Sequence, residues 1–308
     1  MSLLSSVSGL GSTVAPIYNG HRTKNKLGYV MDRQEDRHRL DLRLALADLV
    51  ADTAACVRFF SRLPVPKLCS ADDPARLPDF SRISRAIPLA GIVVAMPAGL
   101  LVLLLGLSHL PTLASGFLVV GMLAMITGAL HEDGLADVAD GFFAGHTPER
   151  RLEIMKDSRI GAFGSIALIV SLGLKAVLIA ALLDRYTPLE AMVILLGAES
   201  LGRTLIVWQW STLPAARPDG LAHRFGVPNS KTFKQACVFG AACLLPILPV
   251  LPLPSLALGL MLAPLAAHGV GMLAKARIGG FNGDVLGAIQ QVGTLVFLAG
   301  CLAVAWAP

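Results

Sequence analysis

Three aspartates define the chemistry this chain is equipped for. Asp133, Asp137 and Asp140 lie four and three residues apart in the stretch HEDGLADVADG that begins at His131. On a helix that spacing puts all three carboxylates on one face, about one turn apart. Carboxylates so close repel one another unless a cation stands between them. An acidic run on a soluble helix is ordinarily just a solvated face. Here the run adjoins a long uncharged stretch and is broken by Gly134 and Gly141, which weaken a helix but let a partner approach its backbone. The donors are oxygens with no cysteine pair nearby, which favours Mg²⁺ or another hard cation over zinc. Mg²⁺ takes few carboxylates and completes its shell with water and substrate phosphate, so a phosphate- or diphosphate-bearing substrate is expected.

A second group of charges follows. Thr147-Pro148-Glu149 reads as a helix start, with a capping hydroxyl, proline in the first turn and an acid near the positive end of the dipole. That helix carries Arg150 and Arg151 and runs on to Asp157 and Arg159. Arginine suits phosphate oxygens because its planar fork donates two hydrogen bonds at once. Anchoring at lipid headgroups is the competing use for Arg150 and Arg151. Glu199 and Arg203 sit four apart inside an apolar stretch, where charges must face the bundle interior or a cavity, either satisfying each other or serving a site. Arg217 lies in a turn-rich loop, Leu213 to Leu221. Asn282 and Asp284 lie among the glycines of Gly279 to Gly287, which allow close backbone approach.

The elements that must position these groups are membrane helices. The composition is 54% hydrophobic and 15% charged, against about a quarter charged in soluble domains. No Lys, Arg, Asp or Glu occurs from Ala86 to Leu130, Gln235 to Ala274 or Val285 to Pro308. A span needs about 20 apolar residues. The first two runs therefore hold two spans each, broken near Ser108–Pro111 and Pro246–Pro254, and the last holds one. Gly161–Leu183 and Tyr186–Leu213 add two more. The expected fold is an all-α, polytopic membrane helix bundle of about seven spans. An N-terminal amphipathic helix over Leu40–Phe60 lies on the membrane or packs on the bundle.

Residues 1–39 read as an extension, disordered or ahead of a natural start at Met31, and 40–308 as the membrane-embedded domain. With a cytoplasmic N-terminus, 23 of the 26 Lys and Arg residues fall on the cytoplasmic side, together with the loops around Asp140, Arg217 and Asp284; only Arg185 faces out. The net charge of +5 thus has a membrane explanation and does not call for nucleic acid. The five cysteines show neither metal-ligand spacing nor a disulfide framework. Nothing in the sequence sets the oligomeric state, and a homo-oligomer stays open.

HEDGLADVADG followed by ERRLEIMKDSRIGAFG closely resembles the signature of the cobalamin synthase (adenosylcobinamide-GDP ribazoletransferase) family. RFFSRLPVP upstream, ARPDGL midway and GGFNGDVLGA near the end stand in the right order, so the resemblance runs from about residue 40 to the C-terminus. It implies an integral enzyme of the cell inner membrane, with its active-site loops toward the cytoplasm. The implied reaction is a Mg²⁺-dependent transfer of the adenosylcobinamide-phosphate moiety of adenosylcobinamide-GDP onto a ribose hydroxyl of α-ribazole or its 5′-phosphate, releasing GMP.

Carried onto this chain, the family's acidic motif falls on Asp133, Asp137, Asp140 and Asp157, as metal ligands and catalytic groups. Glu132, Arg150, Arg159, Arg203, Arg217, Asn282 and Asp284 are the implied substrate-contacting set. One carboxylate, with Asp140 as the first choice, accepts the attacking hydroxyl's proton. The late motif commonly reads GGxTGD; here Asn282 replaces the threonine, and Gln290 and Gln291 stand where an acid is sought.

Two rivals differ in class. A CDP-alcohol phosphotransferase also pairs Asp-Gly with spaced aspartates, but its Ala-Arg is missing here and the downstream spacing differs. A transporter would use Glu199, Arg203 and His268 as an intramembrane relay, yet no inverted repeat is apparent and the acids cluster outside the midplane.

Overall fold

The computed structural model describes residues 21–217, 220 and 224–304, with side chains from Arg39 onward. The expectation of disorder over residues 1–20 lies outside the described residues. Those described fold into helices, joined mostly by short turns and by a long connection over residues 61–79, with no strand beyond a lone bridge of Ala215 to Phe281.

The chain divides into two compact units between Leu46 and Ala47, inside the first helix, α1 (His21–Phe60). In the first unit α1 begins at His21, well ahead of the Leu40 expected, and its Leu40, Leu42, Leu44 and Leu46 are exposed. In the second unit the last turns of α1 bury Cys56, Val57 and Phe60 in the core. The apolar stripe expected over Leu40–Phe60 is therefore buried only in its C-terminal half.

The second unit is a helix bundle. A short helix, α2 (Phe80–Ile83), leads through a 3₁₀ turn into α3 (Ile87–Gly106). Then come α4 (Thr112–Thr127), α5 (Leu130–Ala144), α6 (Pro148–Ile154), α7 (Ala162–Arg185) and α8 (Pro188–Thr212). The chain closes with α9 (Ser230–Leu244), α10 (Leu253–Ile278) and α11 (Gly283–Ala303). The closest pairings are α10 with α11, α3 with α8, α5 with α11 and α4 with α7. Small residues make them possible: a Cβ added to Gly300 would stand 2.7 Å from the Cα of Gly259, so α10 and α11 touch backbone to backbone.

Among the described residues, five helices are long and apolar enough to cross a membrane, and a sixth crossing results if the bent pair α4–α5 counts as one span. Seven were expected. The shortfall lies at α9, whose 15 residues rise about 22 Å at 1.5 Å each, less than a hydrocarbon core of about 30 Å. The proline breaks fall where expected, with α3 ending at Gly106 and α4 starting at Thr112, and with α9 ending at Leu244 and α10 starting at Leu253.

A feature the sequence did not announce is the 92° bend between α4 and α5. Gly128 and Ala129 both take the left-handed conformation, at φ 64° and 57°. The Ala129 N–H reaches back to Ala124 O and that of Gly128 to Met125 O, closing α4 with a Schellman-type cap. The bend sets the acidic helix α5 nearly at right angles to α4.

The charged loops gather at that end. Phe281 donates its N–H to Pro214 O, Ala216 donates to Phe281 O, and Arg217 donates to Leu152 O at 2.8 Å. Arg151, 9% exposed, donates to Gly145 O and Arg277 O. Arg185, the cation assigned to the opposite end, donates to Leu302 O near the far end of α11. An aromatic cluster fills the space under the acidic end, where Phe80 packs against Phe59, Phe60, Trp210 and Phe225, and Trp210 against Phe281.

Candidate active site

The site is built on α5. Along one face of it Asp133 is exposed, Asp137 half-buried and Asp140 buried. Gly134 lies on the start of α11, where an added Cβ would meet Asp284 backbone atoms at 2.8 and 3.0 Å. That closeness brings a fourth carboxylate to the set. The charges bearing most on Asp137 are those of Asp284, Asp133 and Asp140, in that order.

The four acids are held very differently. Asp140 accepts the N–H of Gly161 at 2.7 Å and that of Gly164 at 2.9 Å, one on each oxygen. It caps α7 from another helix, satisfying two of the N–H groups that a helix start leaves without partners. Gly161 and Gly164 are needed there because a Cβ at either position would run into this carboxylate. Asp284 is steadied by Asn282, whose Oδ1 caps α11 on Val285 N while its Nδ2 donates to Asp284 Oδ2 at 2.8 Å. Asp133 and Asp137 accept no hydrogen bond and make no ion pair among the described residues.

Two cavities flank α5. A cleft of about 310 Å³ is lined by Asp140, Arg150, Glu153, Asp157, Arg159 and the first residues of α7. Within it Arg159 grips Asp157 with two nitrogens, Nη2 to Oδ2 at 2.6 Å and Nε to Oδ1 at 3.0 Å. The hydrogen bonds from the side chain and backbone of Arg159 hold the Asp157 carboxyl down at about 2. Arg150 is exposed and pairs with Glu153 at 2.9 Å. Toward the start of α5, a cavity of about 140 Å³ has Asp133 and Asp284 beside Phe59, Phe60, His131 and Trp210.

The remaining expected residues divide. Arg217 lies within reach of Asp284 by charge while hydrogen-bonded to Leu152 O. Glu132 is turned inward and buried, taking a hydrogen bond from Gln291 Nε2 at 2.8 Å, and its other oxygen has no partner. Arg203 is fully buried, and its Nη1 meets Glu199 Oε2 at 2.7 Å. Lys175 and Gln290 also donate to Glu199. Arg203, expected among the substrate-contacting residues, lies instead in an interior ion-pair network, the mutual satisfaction that was its other reading, and the arginines nearer the acidic face are Arg150, Arg159 and Arg217. His268 is exposed and stacks on Trp208, making no hydrogen bond to that network.

Sequence reasoning missed the cap formed by Asp140, the partnership of Gln291 with Glu132 and the aromatic cavity. Only the cavity left a sequence signal, the paired Phe59 and Phe60 of RFFSR.

As to a metal, among the described residues no three His, Cys, Asp or Glu side chains are already gathered as a ligand group. The chemistry of the donors nevertheless fits a hard divalent cation. Asp133 and Asp137 have no cation or hydrogen-bond donor paired with them among the described residues, Asp284 stands close by, and every donor is an oxygen.

The cobalamin-5-phosphate synthase (CobS) family matches this chain over residues 52–302. The chain belongs to this family. Curated relatives named adenosylcobinamide-GDP ribazoletransferase include one from Brucella anthropi, 43% identical over 255 residues, covering 82% of this chain and 96% of that protein. Those from Brucella canis and Brucella suis are each 42% identical over 253 residues, with the same coverage. No solved structure matches. The family region takes in α5, both cavities and the interior network, and leaves out most of α1.

Proposed function

We propose that this protein transfers the adenosylcobinamide-phosphate moiety of adenosylcobinamide-GDP to a ribose hydroxyl of α-ribazole or its 5′-phosphate, giving adenosylcobalamin or its 5′-phosphate and GMP. The observation that carries the reading is the acidic face of α5, set between a cleft holding Arg150 and Arg159 and an aromatic cavity holding Asp284. A diphosphate donor and a nucleoside acceptor need that pairing of surfaces. The relatives' name supports this choice of substrates.

The chain's own groups do the following. Arg150 and Arg159 hold diphosphate oxygens, and Arg217 steadies Asp284. The acceptor's hydroxyl oxygen forms a bond to the phosphorus that bears the corrinoid arm, the bond from that phosphorus to the GMP oxygen breaks, and the hydroxyl proton passes to a carboxylate. Asp137 is better suited to take that proton than Asp140, because both Asp140 oxygens already hold backbone N–H groups. Asp133, Asp137 and Asp284 would hold Mg²⁺, with Asp140 and Asp157 at its edge; bound there, the ion neutralises charge on the diphosphate and orients it. Most of the catalysis is positioning and charge neutralisation.

We read the acidic end as cytoplasmic and the protein as one of the cell inner membrane; the asymmetry of Lys and Arg supports the orientation.

Proteoliposomes given labelled adenosylcobinamide-GDP and α-ribazole, with and without Mg²⁺, test the reading. Cobalamin and GMP formed only with the metal is the expected result. Full activity after chelation would remove the metal assignment, and uptake without chemistry would make the protein a transporter.

A further inference from the structure

We propose that the cavity between α1, α5, α8 and α11 seats the base of the acceptor, a planar and mostly apolar benzimidazole-type ring with one free ring nitrogen. This rests on the transferase reading above and assigns one half of its substrate pair to a place.

The cavity has the makings of a base site. Its volume, about 140 Å³, leaves room for a single small ring system. Phe59, Phe60, His131 and Trp210 line it, and the rings of Phe60 and His131 lie nearly parallel, 6.0 Å apart with 19° between their planes. A planar base stacks favourably on such side chains.

Two of the lining residues each carry a nitrogen with no hydrogen-bond partner. Trp210 Nε1 and His131 Nε2 are buried with no hydrogen-bond partner, on residues 1% and 2% exposed. A buried N–H left unmet is costly, so a ligand that brings an acceptor recovers that cost. A benzimidazole nucleoside brings one acceptor, its free ring nitrogen, and the indole N–H of Trp210 is the donor that answers it. The guanine of the donor would present its N1–H and N2–H₂ to Asp133 or Asp284, and the separate KM values measured below tell the two nucleosides apart.

The carboxylates fix the direction. Asp133 and Asp284 line the same cavity. A base held among the rings puts its ribose beside the acids that the transfer requires.

The test uses the full-length protein in proteoliposomes, the variants Trp210→Phe and Phe60→Leu, and steady-state KM for each substrate separately. Both variants should raise the KM for α-ribazole about tenfold and leave that for adenosylcobinamide-GDP unchanged. The wild type should also discriminate against an indole riboside, which has C–H in place of the free ring nitrogen, and Trp210→Phe should lose that discrimination. Thermal unfolding in detergent verifies folding; if Trp210→Phe unfolds, Phe59→Leu, on a half-buried ring, is measured with Phe60→Leu instead. An unchanged KM for α-ribazole in folded variants overturns the assignment, as does a rise only in the KM for adenosylcobinamide-GDP. A wild type that yields no GMP from this pair overturns the transferase reading itself, and that failure is visible without any variant.

Discussion

Asp140 Oδ1 accepts the backbone N–H of Gly164 at 2.9 Å, joining the acidic helix α5 to the start of α7. With the matching bond from Gly161 on Oδ2, this buried carboxylate is a structural tie as well as part of an acidic face. Hydrogen bonds to a charged group contribute roughly 1.5–3 kcal/mol each, and an amide in its place can accept at only one end. Asp140→Asn is therefore expected to lower the unfolding temperature in detergent together with GMP release. Asp137→Asn, which breaks no hydrogen bond, should abolish GMP release at an unchanged unfolding temperature. Indistinguishable melting curves for Asp140→Asn and wild type would show that the tie contributes nothing to stability.

Gly134 sets how closely α5 approaches α11. A methyl group there would stand 2.8 Å from Asp284 O and 3.0 Å from its Cα, contacts that backbone cannot relieve cheaply. Gly134→Ala should destabilise by about 1–3 kcal/mol, as overpacking does, and should cut turnover more than the loss of stability explains, because it parts Asp284 from Asp133 and Asp137. Gly173→Ala, on α7, is the control, since nothing lies within 4 Å of its added Cβ. Equal turnover in the two variants would remove the spacing argument.

The legible parts of this protein are those with a local cause. Prolines announced the breaks after α3 and α9, and Asp133, Asp137 and Asp140 did fall along one face of a helix. The cap of α6 by Thr147 was legible too, and its side chain accepts from Arg150 N. What escaped was long-range or conformational. The bend at Gly128–Ala129 needs an alanine at positive φ, a state alanine rarely adopts and for which its sequence gives no warning. The span count ran high because charge-free length was taken for helix length, and the Gln235–Ala274 run spends part of its length on the turns between α9 and α10. The aromatic cavity joins Phe59 and Phe60 to Trp210 and Asp284, residues remote in the chain that only the packing of α1, α8 and α11 brings together. Arg203 was placed correctly in the interior, but its partners Lys175 and Gln290 come from other helices and leave no mark on its own.

Glu199 holds that interior network together. It accepts from Lys175 Nζ at 3.2 Å, Arg203 Nη1 at 2.7 Å and Gln290 Nε2 at 2.9 Å, so two basic side chains share one acid. Removing the acid strands both, whereas removing the lysine leaves Arg203 with its partner. Breaking a buried pair from one side costs about 3–5 kcal/mol. Glu199→Gln should approach that cost or fail to accumulate in the membrane, while Lys175→Met should be much milder. The yield and unfolding temperature of the two variants decide it, and a Lys175→Met variant as damaged as Glu199→Gln would contradict this division.

Asp157 and Arg159 make an opposite case, a pair at the rim of the cleft. Arg159 holds the Asp157 carboxyl at about 2, below the ordinary 3.8. A depressed carboxylate contributes stability above the unfolded value that is lost as pH falls from about 4 toward 2, so Asp157 stays charged throughout the neutral range. Any activity limb between pH 5 and 8 must then come from another group, and Asp157→Asn should lower turnover without moving it. Arg159→Ala releases Asp157 toward its ordinary value, still well below neutrality, and should raise the KM for the diphosphate donor with the limb again in place. The pH–rate profiles of these two variants beside wild type check both statements, and a limb that shifts in Asp157→Asn would mean that Asp157 itself takes part in the proton transfer.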